Sequence, residues 1–164
     1  MSFIVIIYSY FFELESVTMR YLHTMVRVEC LERSLAFYCG ALGLLEHSRR
    51  EHSAGRFTLV FLTAPDDQLH ADEAAAPLLE LTYNWDHELY TGGRNFGHLA
   101  FQVADIYRSC QRLIDCGVML SRPPRDGRMA FIRSPDNISI ELLQSGAPLD
   151  AVEPWVSMAN SGRW

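Results

Sequence analysis

From Tyr21 to Val28, Leu22, Thr24, Val26 and Val28 alternate with His23, Met25 and Arg27, a period of two that predicts a strand. Leu31, Leu35, Tyr38 and Leu42 then recur at helical spacing, and Gly43 is placed to stop the helix. Strands are predicted near Leu44–Arg50 and Phe57–Leu62, turning around Ser53-Ala54-Gly55. The polar, acidic, Ala-rich segment Ala64–Ala76 reads as a solvated loop, and Pro77 admits a strand over Leu78–Asn84. A second pass starts with a strand over His98–Val103 and a helix over Ile106–Cys116, ended by Gly117. It continues with a short strand at Val118–Leu120, turn chemistry at Arg122–Gly127, and strands at Met129–Arg133 and Ile138–Leu143.

The two passes are one passage read twice. A shift of 75 places His23 on His98, Val28 on Val103, Leu31 on Ile106, Arg33 on Arg108 and Ser34 on Ser109. At the far ends, Leu79-Glu80-Leu81 matches Ile140-Glu141-Leu142 with a shift of 61, so the first half carries the longer loops. A repeat of this length marks duplicated supersecondary units sharing a core. The predicted class is α+β, two βαβββ modules over 19–86 and 94–144. They are preceded by an extension over 1–18 and succeeded by a tail over 145–164 that Trp155 and Trp164 are placed to pin. Residues 1–18 differ in character from the first module, with an apolar run too short to span a bilayer, and Met19 is the expected natural start.

Strand parity isolates four residues, because side chains alternate faces with period two. His23, Met25 and Arg27 share one face; Glu80, Thr82 and Asn84, then His98, Ala100 and Gln102, then Ser139, Glu141 and Leu143 do the same on their strands. In each strand the opposite face is apolar. A lone carboxylate or imidazole on a buried strand is costly unless something pairs with it. With the two halves facing each other, His23, Glu80, His98 and Glu141 supply two imidazoles and two carboxylates, a set suited to a divalent Ni, Zn, Co or Mn ion.

Composition narrows the function. A net charge of −6 argues against nucleic acid or an anionic membrane as partner. All 14 basic residues are arginine, which removes lysine Schiff-base chemistry and a P-loop lysine. Cys30, Cys39, Cys110 and Cys116 form no C-x-x-C pair and read as small buried hydrophobes of a reducing cytoplasm.

From Met19 to about Gln144 the chain resembles glyoxalase I, lactoylglutathione lyase, of the vicinal-oxygen-chelate superfamily. The resemblance rests on Arg20–Val28, Leu79–Trp85, Phe96-Gly97-His98 and Ser134-Pro135-Asp136 leading to Ile140-Glu141-Leu142. It implies the glyoxalase/bleomycin-resistance fold, with curved mixed sheets around a metal cavity. It further implies metal ligands at His23, Glu80, His98 and Glu141, and one divalent ion per site, with Ni2+ favoured and Zn2+ or Co2+ as alternatives. The implied reaction is isomerisation of the methylglyoxal–glutathione hemithioacetal to S-lactoylglutathione, with Glu141 as base and Glu80 its counterpart. Glutathione contacts fall on Arg27, Asn84, Arg94 and Arg122. The resemblance also implies a cytoplasmic homodimer, His23 and Glu80 of one subunit sharing a site with His98 and Glu141 of the other. The chain departs from the family at Asp136-Asn137-Ile138-Ser139, where an Asp-Gly and an aromatic pair are usual. Ser139 therefore puts no aromatic wall beside Glu141 and leaves an epimerase, a thiol transferase or a drug-binding resistance protein as alternatives.

Overall fold

The computed structural model describes residues 19–93 and 95–162; the 1–18 extension, Arg94 and Trp164 lie outside the described residues. The first repeat comprises β1 (His23–Arg27), α1 (Leu31–Leu35), β2 (Leu45–His52), β3 (Phe57–Thr63), α2 (Gln68–Ala74) and β4 (Leu78–Asn84). The second comprises β5 (Leu99–Val103), α3 (Ile106–Asp115), β6 (Leu120–Arg122), β7 (Met129–Arg133) and β8 (Ser139–Gln144). Each repeat forms a four-stranded mixed sheet, ordered β1-β4-β3-β2 and β5-β8-β7-β6, and neither sheet closes on itself. The first and last strands of each repeat pair in parallel, placing Met25 beside Glu80 and Ala100 beside Glu141.

Alternation decides which face is buried. Val26, Val60, Leu62, Leu79 and Leu81 in one sheet, and Ala130, Ile132, Ile140 and Leu142 in the other, turn toward the helices and join one core cluster. Full burial of each such branched aliphatic side chain contributes about 1.5–3 kcal/mol. Phe37, Tyr38 and Ala41 complete the first half of that core, Ile106, Cys110 and Leu113 the second. The other face of each sheet carries the ionisable residues and is left open.

Three local expectations are corrected. The segment read as the loop Ala64–Ala76 holds a 3-10 turn at Pro65–Asp67 and then α2, a helix that buries only Ala71 and so lacks an apolar period. The helix predicted over Leu31–Leu42 widens into a π-helix over Ala36–Ala41, where Leu42 N donates to Phe37 O five residues back. The strand expected at Val118–Leu120 lies at Leu120–Arg122, because Gly117 (φ +79°) and Val118 N, bonded to Leu113 O, belong to the end of α3. Asn137 takes the left-handed turn (φ 64°) that a glycine would hold.

The helices of the two repeats end differently. Asp105 caps α3 locally, accepting from Arg108 N at 2.9 Å. Cys30 gives α1 no side-chain cap. Instead Asp136, from the β7–β8 turn and 4% exposed, accepts from Glu29 N (2.9 Å) and the Ser34 hydroxyl (2.8 Å). At the other end of that helical stretch, Arg112 of α3 donates to Gly40 O at 3.1 Å.

The tail packs on the second repeat: Trp155 is buried and stacks on Tyr107, their rings 5.7 Å apart. Gly127 (φ +63°) fits there because a Cβ would lie 2.0 Å from Leu149 O. All four cysteines are free, and only Cys110 is buried; Cys116 is exposed, so the expectation of uniform burial fails there. No helix among the described residues is long and apolar enough to cross a membrane.

Candidate metal centre

Two ion pairs occupy equivalent places in the two sheets. His23 Nε2 lies 3.0 Å from Glu80 Oε2, and His98 Nε2 lies 3.2 Å from Glu141 Oε2. His23 opens β1 and Glu80 sits on the parallel neighbour β4; His98 immediately precedes β5 and Glu141 sits on β8. In each pair the carboxylate is largely sheltered, at 12% and 13% side-chain exposure, while the imidazole is open, at 39% and 42%. The four residues thus form two separate His–Glu pairs within one chain, each a candidate half-site. Among the described residues, no three His, Cys, Asp or Glu side chains gather to hold a metal. His23, Glu80, His98 and Glu141 therefore do not converge into one cluster within this chain.

The donor chemistry of each half-site suits a divalent ion. An imidazole nitrogen and a carboxylate oxygen face one another across about one hydrogen-bond length, and these donor types match Ni, Zn or Co. Both imidazoles are braced from the side. Phe61 on β3 meets His23 edge-on at 5.8 Å and Phe131 on β7 meets His98 edge-on at 5.5 Å. Register explains the match, since Phe61 pairs across from Glu80 and Phe131 across from Glu141. An aromatic wall therefore does stand beside Glu141. It comes from the neighbouring strand rather than from position 139. Ser139 is 7% exposed with its hydroxyl unpartnered.

The two carboxylates are not equivalent. Thr82, two residues beyond Glu80 on the same face, donates its hydroxyl to Glu80 Oε1 at 3.1 Å. The residue two beyond Glu141 is Leu143, which has no hydroxyl to offer. Glu80 is held at both oxygens; Glu141 is held by His98 at one. Sequence alone does not bring out the roles of Thr82, Phe61 and Phe131. Thr82 is within reach through its i+2 parity, whereas the phenylalanines require the β3–β4 and β7–β8 registers.

Of the residues expected to bind glutathione, Arg27 ends β1 on the open face beside Thr82. Asn84 ends β4 on the same face, its amide donating to Glu88 Oε2 at 2.8 Å and to the Tyr90 hydroxyl at 3.2 Å. Arg122 holds Met129 O at 2.7 Å and Asp126 at 2.8 Å, so its guanidinium closes the β6–β7 hairpin. Arg94 lies outside the described residues.

The sequence and the fold coincide with a known family. The profile of the Glyoxalase/Bleomycin resistance protein/Dioxygenase superfamily matches residues 20–142, and the chain belongs to that superfamily. Within it, the chain is 40% identical over 139 residues to the lactoylglutathione lyase of Neisseria meningitidis serogroup A, spanning 82% of this chain and 96% of that one. It is 37% identical over 134 residues to a probable lactoylglutathione lyase of Synechocystis, spanning 79% and 98%. Among solved structures, the trypanothione-dependent glyoxalase I of Leishmania major superposes with a TM-score of 0.69 at 34% identity, over 77% of this chain and 87% of that one. An antibiotic-binding protein of Streptomyces shares the fold, with a TM-score of 0.56 at 19% identity over 79% of this chain and 98% of that one.

Proposed function

We propose that the chain catalyses the glyoxalase I reaction, isomerising the hemithioacetal of methylglyoxal and glutathione to S-lactoylglutathione and so detoxifying methylglyoxal. The observation that carries this reading is the pair of His–Glu half-sites at equivalent places of the duplication, each braced by a phenylalanine. Identity of 35–40% to proteins named lactoylglutathione lyase supports it.

Because one chain carries two separated half-sites, the working unit is a homodimer. His23 and Glu80 of one subunit complete a site with the equivalents of His98 and Glu141 from a second copy, as two separate sites per dimer. The open sheet faces agree with such cover: Met25 is 39% exposed beside Glu80, and Phe57, Leu59 and Phe61 are half-buried. When bound, a divalent cation, Ni2+ in preference to Zn2+ or Co2+, supplies Lewis acidity that offsets the negative charge developing on the substrate's adjacent oxygens.

The protein's own groups do the proton work. Removing the C1 proton and returning it at C2 requires a carboxylate beside the reacting carbons. Glu141 fits that role because no neighbouring hydroxyl restrains its second oxygen. Glu80, restrained by Thr82, serves as the fixed ligand on the opposite side. Arg27 and Asn84, further along the Glu80 face, receive the charged end of glutathione together with Arg94. Arg122, committed to its hairpin, contributes through its charge alone.

The test is an assay of methylglyoxal plus glutathione, with the metal-stripped protein reloaded with Ni2+ or Zn2+ and the product identified as S-lactoylglutathione. Turnover after reloading supports the reading. Metal uptake without turnover overturns the reaction, and a monomer with full activity overturns the shared site.

A further inference from the structure

The register of the first sheet puts one more charged side chain on its open face. Arg50 of β2 pairs across from Leu59 of β3, and Leu59 from Thr82 of β4, so Arg50 projects on the same side as Glu80 and Thr82. Its guanidinium lies over the Phe61 ring, 5.9 Å from the centroid, and the same ring meets His23 edge-on at 5.8 Å. One phenyl ring therefore separates this cation from the imidazole of the half-site. Arg50 is exposed and has no ion pair among the described residues. Its neighbours differ: Arg49, on the opposite face, is paired with Glu46, and Arg56, in the β2–β3 turn, with Asp86. The second sheet treats the corresponding edge in another way. Arg122 of β6 pairs across from Phe131, the ring that meets His98, and its guanidinium is committed to Met129 O at 2.7 Å and to Asp126 at 2.8 Å.

A guanidinium held over a phenylalanine face keeps its N–H edge for a carboxylate, which it can take with two parallel hydrogen bonds. Leu59 and Phe61 beside it are apolar and half-buried. A substrate substituent that leaves the His23–Glu80 pair across Phe61 thus lies on hydrocarbon and ends at a cation. The methyl group of methylglyoxal is too short to span a phenyl ring, whereas an aromatic spacer with an acidic end is long enough. We infer that Arg50 is a specificity-determining residue, and that the chain also isomerises glutathione hemithioacetals of α-oxoaldehydes whose substituent carries a carboxylate. The inference rests on the proposed glyoxalase I reaction and leaves its balance unchanged. The C1 proton is returned at C2, and the added carboxylate takes no part in the chemistry.

The test compares wild type, Arg50→Gln and Arg50→Lys on the glutathione hemithioacetals of phenylglyoxal and para-carboxyphenylglyoxal, which differ only in the charged group at the far end. The readout is the ratio of kcat/KM for the carboxylated to the plain substrate. Ring electronics and any loss of active protein cancel when that ratio is compared between proteins. Arg50→Gln is expected to lower it by about fivefold, the upper scale of an exposed charge pair, and Arg50→Lys to recover part of the loss. Calorimetric titration with S-benzylglutathione and its para-carboxybenzyl analogue should show the same shift in relative affinity, without turnover. An unchanged ratio overturns the inference: with both rates intact Arg50 only packs on Phe61, and with both lowered alike it serves the thiol half or the fold. A fall as large in Arg50→Lys as in Arg50→Gln overturns it too, because charge is then not what is read. Wild type that turns over methylglyoxal but not the carboxylated substrate overturns this inference alone; wild type that turns over none of the three hemithioacetals overturns the glyoxalase I reading itself.

Discussion

Replacing Thr82 by valine removes one hydroxyl from the half-site and leaves its shape nearly intact. Thr82 is 8% exposed, and its hydroxyl donates to Glu80 Oε1 at 3.1 Å while Glu80 Oε2 faces His23 at 3.0 Å. A hydrogen bond to a charged group contributes about 1.5–3 kcal/mol, and the carboxylate it orients is itself sheltered. An outer partner of a metal ligand is typically worth about 10–100-fold in metal affinity, or roughly 1.4–2.8 kcal/mol, within the same range. Thr82→Val is therefore expected to weaken Ni2+ or Zn2+ binding by about that factor. Thr82→Ser, which restores the donor, should recover most of the loss. Competition against a chromophoric chelator reads the affinity, and thermal melting of the metal-free proteins reads any general loss of fold. Wild-type metal affinity in Thr82→Val, or equal weakening in Thr82→Ser, would refute the claim that this hydroxyl fixes Glu80.

Three further outcomes concern other sheltered side chains. Glu141→Gln should keep most metal binding but lower turnover by about 10²–10⁴, the usual worth of a general base, as read by steady-state kinetics; unchanged turnover would remove Glu141 from the role. Asp136→Ala strands Glu29 N–H and the Ser34 hydroxyl, and urea melts should show a loss of about 2–4 kcal/mol, with Asp136→Asn losing less because its amide oxygen still accepts. The Tyr38 hydroxyl is buried without a hydrogen bond of good geometry, and burial pushes its ionisation up to about 12 from 10.0. The unfolded chain therefore ionises first. Stability present below pH 10 falls as pH rises toward 12, and Tyr38→Phe should melt like wild type at pH 8 yet lose less between pH 10 and 11. Cys110, likewise pushed up to about 12 from 9.0, leaves some alkaline decline in the variant; parallel declines in both proteins would refute the role of Tyr38.

Periodicity is most informative where one face is buried and a turn residue marks the end. The predicted bounds of β4 and β7 coincide with those observed, because Pro77 and the turns around Gly127 and Pro135 punctuate strands with clean alternation. Parity alone places His23, Glu80, His98 and Glu141 on the open faces. The features that stay illegible depend on partners distant in sequence. That His23 meets Glu80 comes from the parallel β1–β4 pairing, and the flanking Phe61 comes from a register that turn residues do not encode. The α2 helix escapes detection because burying Ala71 alone leaves no apolar stripe. Position 139, on the same strand as Glu141, is where the sequence invites a search for its aromatic neighbour, while Phe131 supplies it from across the ladder.

The capping of the two helical stretches gives the duplication a direction. α3 begins on its own Asp105 and ends on its own Gly117, so the second repeat completes its helix from within. The first repeat borrows at both ends, taking Asp136 where its helix starts and Arg112 where it finishes. In capping, the second repeat is host and the first dependant. A fragment ending before residue 94 would leave that helix without either support, whereas the converse fragment would keep both of its own. The loan also means that a change at Asp136 or Arg112, both in the second repeat, is felt first in the helical stretch of the first.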